Sequence, residues 1–189
     1  MAVAERGLLV IDAEATGVSG HAARREGINA VYKAMQDIAW IQSYVFEKRS
    51  DFLGPVSMQV TVIETDNKAH NVVPDNCRYT IDVRLNECYH HEEVLALIRE
   101  HVQADLKVRS TRLRSTLIPQ EHPLVAAGST TGMKSYGSPT LSDKALMPFP
   151  ALKLGPGDSA RSHTADEYVY LQEIEEGIEK YIQLIGSLE

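Results

Sequence analysis

The chain has 189 residues, enough for one ordinary domain or for two small units with their own cores. Its composition, 43% hydrophobic and 24% charged, is typical of a globular protein, and no apolar run is long enough to span a membrane. The net charge of −7, without a basic stripe, argues against a nucleic-acid partner. Cys77 and Cys88 lack a metal-binding spacing and are expected to be free thiols in the cytoplasm.

The first predicted element is a half-buried strand over residues 8–16, where apolar and polar side chains alternate. Glycines at positions 17 and 20 end this strand. A helix is predicted over about residues 27–45. Its expected apolar stripe consists of Ile28, Val31, Met35, Ile38, Ile41 and Val45.

Two further strands are predicted next, one over residues 56–62 and one with clear alternation over residues 77–85. A second helix is predicted over about residues 91–104, and a polar strand near residues 107–115 completes the set. The order strand, helix, strand, strand, helix, strand is the ferredoxin-like pattern of the α+β class. We therefore expect a four-stranded antiparallel sheet with two helices on one face.

The rest of the chain has a different composition, rich in Gly, Pro and Ser from residue 121 to residue 157. It contains one short strand candidate at residues 151–154, a tightly specified loop at residues 155–163, and a C-terminal amphipathic helix. This part is too short to build its own sheet. We expect two domains, 8–118 and 119–189, with the second completing a larger domain whose other strands lie outside the chain.

Several separated motifs carry a family resemblance: GHAAR followed by GINA, then HNVVPD, DVR, SPTLSDKALM and GPGDSARSHTADEY. In these motifs the chain resembles the aminoacylase, acetylornithine deacetylase and succinyl-diaminopimelate desuccinylase family of dinuclear zinc exopeptidases. The last two motifs are most similar to the acetylornithine deacetylase branch. The resemblance runs through essentially the whole chain in order.

The resemblance implies a ferredoxin-like lid that pairs two subunits, followed by the C-terminal part of an α/β zinc-hydrolase domain. It implies two zinc ions per subunit in the full-length parent, with cobalt as a substitute, and hydrolysis of an N-acyl amide on an amino acid. N-acetylornithine is the first substrate it suggests. The expected partners are this small molecule and a second copy of the chain, with no membrane.

Two histidines take their roles from the resemblance. His163, in SHTADE, matches the last metal ligand of the family; the alternative is a loop histidine that caps the following helix. His21 matches the lid histidine that reaches the partner subunit's active site and stabilises the oxyanion. Its alternative is an ordinary surface histidine near a turn.

Two lid residues match substrate-contacting positions. Arg84 is suited to a substrate α-carboxylate because its planar fork binds both oxygens, but an ion pair with Asp82 is an equal alternative. Asn71 is expected to contact the substrate's polar edge, or else to form an Asx turn before Pro74.

The chain departs from the family in one large respect: residues 1–7 supply neither the metal-binding histidine and aspartates nor the paired glutamates that precede the lid. One expected ligand cannot form a dinuclear site. We therefore expect the isolated chain to be inactive and not to bind zinc at full occupancy. The alternative function is a stand-alone dimerisation or regulatory module without catalysis.

Overall fold

The computed structural model describes residues 1–188. The strands, in chain order, are β1 (Ala2–Glu5), β2 (Gly7–Thr16), β3 (Gly20–His21), β4 (Arg49–Ser50), β5 (Gly54–Pro55), β6 (Ser57–Glu64), β7 (Val72–Val73), β8 (Asn76–Leu85), β9 (Asp105–Val108), β10 (Thr116–Leu117) and β11 (Tyr136–Ser138). The α-helices are α1 (Ala30–Ser43), α2 (His91–His101), α3 (Pro123–Thr130) and α4 (Leu171–Gly186). Short 3₁₀ turns lie at Ala22–Arg24, Asp143–Leu146 and Ser159–Arg161.

The chain divides into two compact units. The central unit is Arg6–Ser115, and the terminal unit joins Met1–Glu5 to the described residues from Thr116 onward. Within residues 1–188, no helix combines the length and the apolar character needed to cross a membrane.

The central unit contains a four-stranded sheet with strand order β6-β8-β2-β9. All three pairings are antiparallel, and the long β2–β8 ladder runs from Gly7 opposite Leu85 to Thr16 opposite Asn76. Every second residue of β2 and β8 is buried, because successive side chains of a strand point to opposite faces. The predicted α+β class and βαββαβ order are confirmed.

The buried face of α1 differs from the predicted stripe. Its buried residues are Ala30, Ala34, Asp37 and Ile41, at the spacing of one helix face. Met35 and Val45, expected in the core, are exposed. Ile41 of the predicted stripe is buried, and Val31 and Ile38 pack against the core, so the stripe was right in part. Small alanine side chains let the helix lie close to the sheet, and the Asp37 carboxylate is buried beside them.

Several predicted helices and strands were longer than the observed ones. Helix α1 begins after Asn29, whose side-chain oxygen accepts a hydrogen bond from the Val31 amide at 2.9 Å, while Ile28 pairs with Val18 outside the helix. The last strand of the sheet is β9, which ends before most of the predicted range 107–115. The strand candidate at 151–154 is reduced to one bridge between Lys153 and Ala2.

The terminal unit has a three-stranded sheet with order β10-β1-β11, in which β1 is antiparallel to β10 and parallel to β11. Strand β1 was not predicted, although all four of its residues are buried. Gly128 of α3 allows Met1 to pack closely, since a Cβ there would lie 2.3 Å from the Met1 sulfur. The first residues of the chain therefore form the centre of this unit.

Candidate functional site

His21 and Asn71, two of the predicted site residues, lie close together at a short ribbon of the central unit. Strands β3 and β7 pair antiparallel, with His21 opposite Val72, and the Ala22 amide donates to the Asn71 carbonyl at 3.0 Å. Both residues are exposed. The structure thus brings together two residues that are 50 positions apart in sequence.

The imidazole of His21 has a defined tautomer. Its Nδ1 accepts a hydrogen bond from the Ala23 amide at 3.2 Å, so in the neutral ring the proton lies on Nε2. Because the side chain is exposed, this Nε2–H group is a free donor. A fixed N–H donor is the group that stabilises a developing oxyanion.

Close backbone packing holds the ribbon in place. A Cβ at Gly20 would lie 2.4 Å from the Glu26 carbonyl, so only glycine fits before His21. Gly27 has a φ of 87°, which also favours glycine. The Ser19 hydroxyl donates to the Asp75 carboxylate at 2.9 Å and ties the ribbon to the start of β8.

Arg84 lies at the opposite end of β8 from this ribbon. It lies eight positions after Asn76, which corresponds to about 26 Å of extended strand. Its Nε and Nη2 atoms donate to the two Asp82 oxygens at 2.6 and 2.9 Å, which is the ion pair that was considered from sequence. Within one central unit, Arg84 cannot contact the same small molecule as His21 and Asn71.

A second arginine, which the sequence did not single out, accompanies Arg84. Arg6 donates from Nη1 to the backbone carbonyls of Pro55 and Arg84, at 2.9 and 3.3 Å, and from Nη2 to the Leu53 carbonyl. Burial, and then the charge of Arg84, lower the pKa of Arg6. Arg6 and Arg84 carry two positive charges, and the Asp82 carboxylate compensates one of them. The remaining positive charge suits an anionic group of a ligand.

His163 lies in the terminal unit, on the loop that follows the 3₁₀ turn Ser159–Arg161. Its backbone is left-handed, with a φ of 61°, and its amide donates to Glu167 Oε2 at 3.0 Å. The side chain is exposed, and within residues 1–188 its ring has no hydrogen bond. Its imidazole is therefore available to a metal ion.

An open pocket of about 680 Å³ lies beside this loop, lined in part by Thr140, Lys153, Ser162 and Glu167. The Lys153 ammonium lies 2.8 Å from the buried Glu5 carboxylate and donates to the hydroxyls of Ser138 and Thr140. With these acceptors its charge is compensated. The polarity of this pocket wall was not predicted, although a lysine within the apolar run 151–154 was a signal for it.

The residues present fit only one position of a zinc site. Residues 1–188 contain no group of three or more His, Cys, Asp or Glu side chains placed to hold a metal ion. His163 supplies one suitable imidazole, whereas a catalytic zinc needs three protein ligands. Both cysteines are free thiols, Cys77 being buried.

Comparison with protein families gives a match over residues 3–109 to the M20 family described as "Peptidase dimerisation domain". Among curated proteins, the chain is 29% identical over 105 residues to succinyl-diaminopimelate desuccinylase 2 of Ruegeria sp., covering 54% of this chain and 26% of that protein. It is 27% identical over 142 residues to the succinyl-diaminopimelate desuccinylase of Zymomonas mobilis, covering 72% and 38%.

The fold is also found in solved peptidases. Aminopeptidase PepT of Bacillus cereus superposes with a TM-score of 0.79 at 18% identity, covering 99% of this chain and 53% of that one. An M20 family metallo-carboxypeptidase of Sulfolobus solfataricus gives 0.69 at 12% identity, covering 98% and 59%. The chain thus spans about half the length of these structures, and its alignments span about a quarter to two fifths of the two curated relatives.

Proposed function

Because the chain belongs to the M20 peptidase dimerisation-domain family, we propose that it is the lid and the C-terminal part of the catalytic domain of a zinc-dependent amidohydrolase. The whole enzyme would hydrolyse an N-acyl amide on an amino acid. The observation that carries this proposal is the fold likeness to solved peptidases, which extends over both units of the chain. The two free thiols support a cytoplasmic location.

In this proposal the central unit supplies polar contacts to the substrate. The His21 Nε2–H group donates to the oxyanion, and Asn71 beside it binds the polar edge of the substrate. Arg84, with Arg6 adding positive charge, binds the α-carboxylate. His21 and Asn71 lie at one end of β8 and Arg84 lies near the other. This separation supports an arrangement in which His21 and Asn71 contact the substrate in the neighbouring subunit's site, while Arg84 contacts the substrate in the site of its own subunit.

His163 in the terminal unit is proposed as one zinc ligand. When bound, zinc would lower the pKa of a water molecule and polarise the amide carbonyl. The free, exposed imidazole supports this role. The remaining ligands and the general base would come from the part of the enzyme that precedes the lid.

The acyl group is the finer part of the proposal. The motifs SPTLSDKALM and GPGDSARSHTADEY favour N-acetylornithine as the first substrate. The names of the curated relatives favour N-succinyl-diaminopimelate as the second. Both compounds have an amino-acid carboxylate that Arg84 suits, and they differ in the acyl tail.

A homodimer through the central unit is also proposed. Strand β6 is an edge strand of eight residues, and exposed apolar side chains lie on it and on α1, which packs against it: Val62, Ile63, Tyr32 and Met35. The other edge, β9, has only four residues, of which Asp105 and Lys107 are exposed. An unpaired apolar edge favours association with a second copy.

The experiment compares the 189-residue chain with the natural protein from its source, whose intact mass and reading frame are determined first. Hydrolysis of N-acetylornithine and N-succinyl-diaminopimelate is then measured with added zinc. We expect the longer natural protein to hydrolyse one of them and the 189-residue chain to hydrolyse neither. A natural protein with the mass of this chain and without hydrolysis would instead support the stand-alone dimerisation module.

A further inference from the structure

The loop that carries His163 has an unfavourable backbone conformation. A left-handed φ of 61° at a residue other than glycine costs about 1 kcal/mol, and it persists only where neighbouring contacts impose it. The contacts on either side of His163 therefore indicate what holds it.

Arg161, two residues before His163, ties the loop to the first turns of α4. Its Nη2 donates to Glu173 Oε1, and its guanidinium carbon lies 5.0 and 5.1 Å from the ring centres of Tyr168 and Tyr170. A guanidinium at this distance from two aromatic rings is attracted to both. One side chain thus binds the loop, the segment after it and the helix.

Glu173 connects this contact to the helix terminus. Its Oε2 accepts a hydrogen bond from the Tyr170 amide at 2.9 Å and so satisfies a free amide before the first turn of α4. Gly157 beside this contact has a left-handed φ of 84°, which favours glycine, and a Cβ there would lie 3.2 Å from the Val169 side chain.

Two further hydrogen bonds in the loop involve His163 and its neighbour Thr164. The Thr164 hydroxyl donates to the Arg161 carbonyl at 2.9 Å, and the His163 amide donates to Glu167 at 3.0 Å. The backbone of His163 is thus fixed from both directions while its imidazole stays free. A fixed backbone keeps the exposed ring at one place in the loop, which preorganises it for a ligand.

We propose that Arg161 is a positioning residue, whose contacts with Glu173, Tyr168 and Tyr170 hold His163 in its left-handed conformation with the imidazole free for a ligand. The inference rests on the proposed function where it takes that ligand to be zinc. The Glu173 carboxylate raises the pKa of Arg161, and Arg161 lowers the pKa of Glu173, so the pair stays ionised at neutral pH.

The first experiment measures amide hydrogen exchange by mass spectrometry. Arg161→Ala should speed exchange over residues 162–168 by about tenfold, because the loop opens locally. Arg161→Lys keeps the charge but loses the planar group that stacks on the tyrosine rings, so its exchange rate should lie between those of the unsubstituted chain and Arg161→Ala. Glu173→Gln keeps an acceptor for the Tyr170 amide but removes the ion pair, and should also speed exchange. The control is Arg112→Ala, an exposed arginine of the central unit. Unchanged loop exchange in Arg161→Ala would overturn the proposal.

The second experiment separates positioning from mere loop stability. The imidazole nitrogen signals of ¹⁵N-labelled chain are followed by NMR as zinc alone is added. His163 should respond in the unsubstituted chain, and Arg161→Ala should need about tenfold more zinc, as expected when a partner of a ligand is lost. If Arg161→Ala speeds amide exchange in the loop but leaves the zinc response of His163 unchanged, Arg161 stabilises the loop without positioning His163, and the positioning role is overturned. If His163 did not respond to zinc in the unsubstituted chain, its imidazole would not be free for a ligand and that part of the present proposal would be overturned. The ligand role in the whole enzyme, where further ligands are proposed, is tested separately by the hydrolysis experiment, and the exchange result still tests the backbone.

Discussion

At the scale of single residues, Asp37 of α1 is a charged side chain buried in the central unit. The residue is 3% exposed, and its carboxylate accepts hydrogen bonds from the Tyr79 hydroxyl at 2.8 Å and from the amides of Gln103 and Ala104 at 3.0 and 3.1 Å. Burial, and then the Asp37 carboxylate, raise the pKa of Tyr79. One side chain thus joins α1, β8 and the segment after α2.

We predict that Asp37→Asn lowers the free energy of unfolding by about 2 kcal/mol, because an amide nitrogen replaces one acceptor and leaves a buried donor unpaired. Urea unfolding followed by the fluorescence of Trp40, the chain's one tryptophan, reports this in the central unit. Asp51→Asn, at an exposed position, is the matched control. Equal unfolding midpoints for the two variants would contradict the prediction.

At the scale of elements, the two edges of the central sheet differ in what they expose. Val62 and Ile63 of β6 are 50% and 54% exposed, and Met35 of the adjacent α1 is 56% exposed. About half of the surface of each of these residues therefore stays in contact with water. Association with a second copy would remove them from water, each contributing about 1 kcal/mol or more.

Val62→Lys should therefore weaken self-association by about tenfold, since a charge on an edge strand disfavours edge pairing. Analytical ultracentrifugation over a concentration series measures the change. Lys107→Glu, on the short edge strand β9, is the control and should leave the dissociation constant unchanged. Dimer loss in the control but not in Val62→Lys would place the interface at the other edge.

At the scale of the whole molecule, the terminal unit leaves much of α4 uncovered. Leu184 is buried within this helix, whereas the apolar residues of its stripe are largely exposed: Leu171, Ile174, Ile178, Tyr181, Ile182 and Ile185. A helix with this pattern needs a covering layer. We expect the rest of the enzyme proposed above to supply that layer.

A pair of substitutions on α4 tests this. In the 189-residue chain, Leu184→Ala should lower stability by about 3 kcal/mol, because it opens a cavity at a site only 5% exposed. Ile182→Ala, at a site 66% exposed, should change stability by less than about 0.5 kcal/mol. Thermal unfolding by far-ultraviolet circular dichroism measures both. In the whole enzyme proposed above, Ile182→Ala should become costly; if it stays neutral there, the stripe is not covered.

The sequence by itself determined the features that depend on neighbouring residues. Alternation over 8–16 and 77–85 predicted β2 and β8 with their correct buried faces, because a strand's two faces follow from its period of two. The predicted order of strands and helices indicated the α+β class. The loop motif around His163 and the glycine before His21 were also visible, although the roles of these residues stay predictions.

Only the tertiary structure decided features that depend on distant pairings. Strand β1 is buried because β10 and β11, more than 100 residues later, pair with it. Asp37 is buried because Tyr79 and the amides after α2 satisfy its carboxylate. The length of β8 separates Arg84 from His21 and Asn71. Such contacts join residues far apart in sequence, and local hydrophobic pattern holds no information about them.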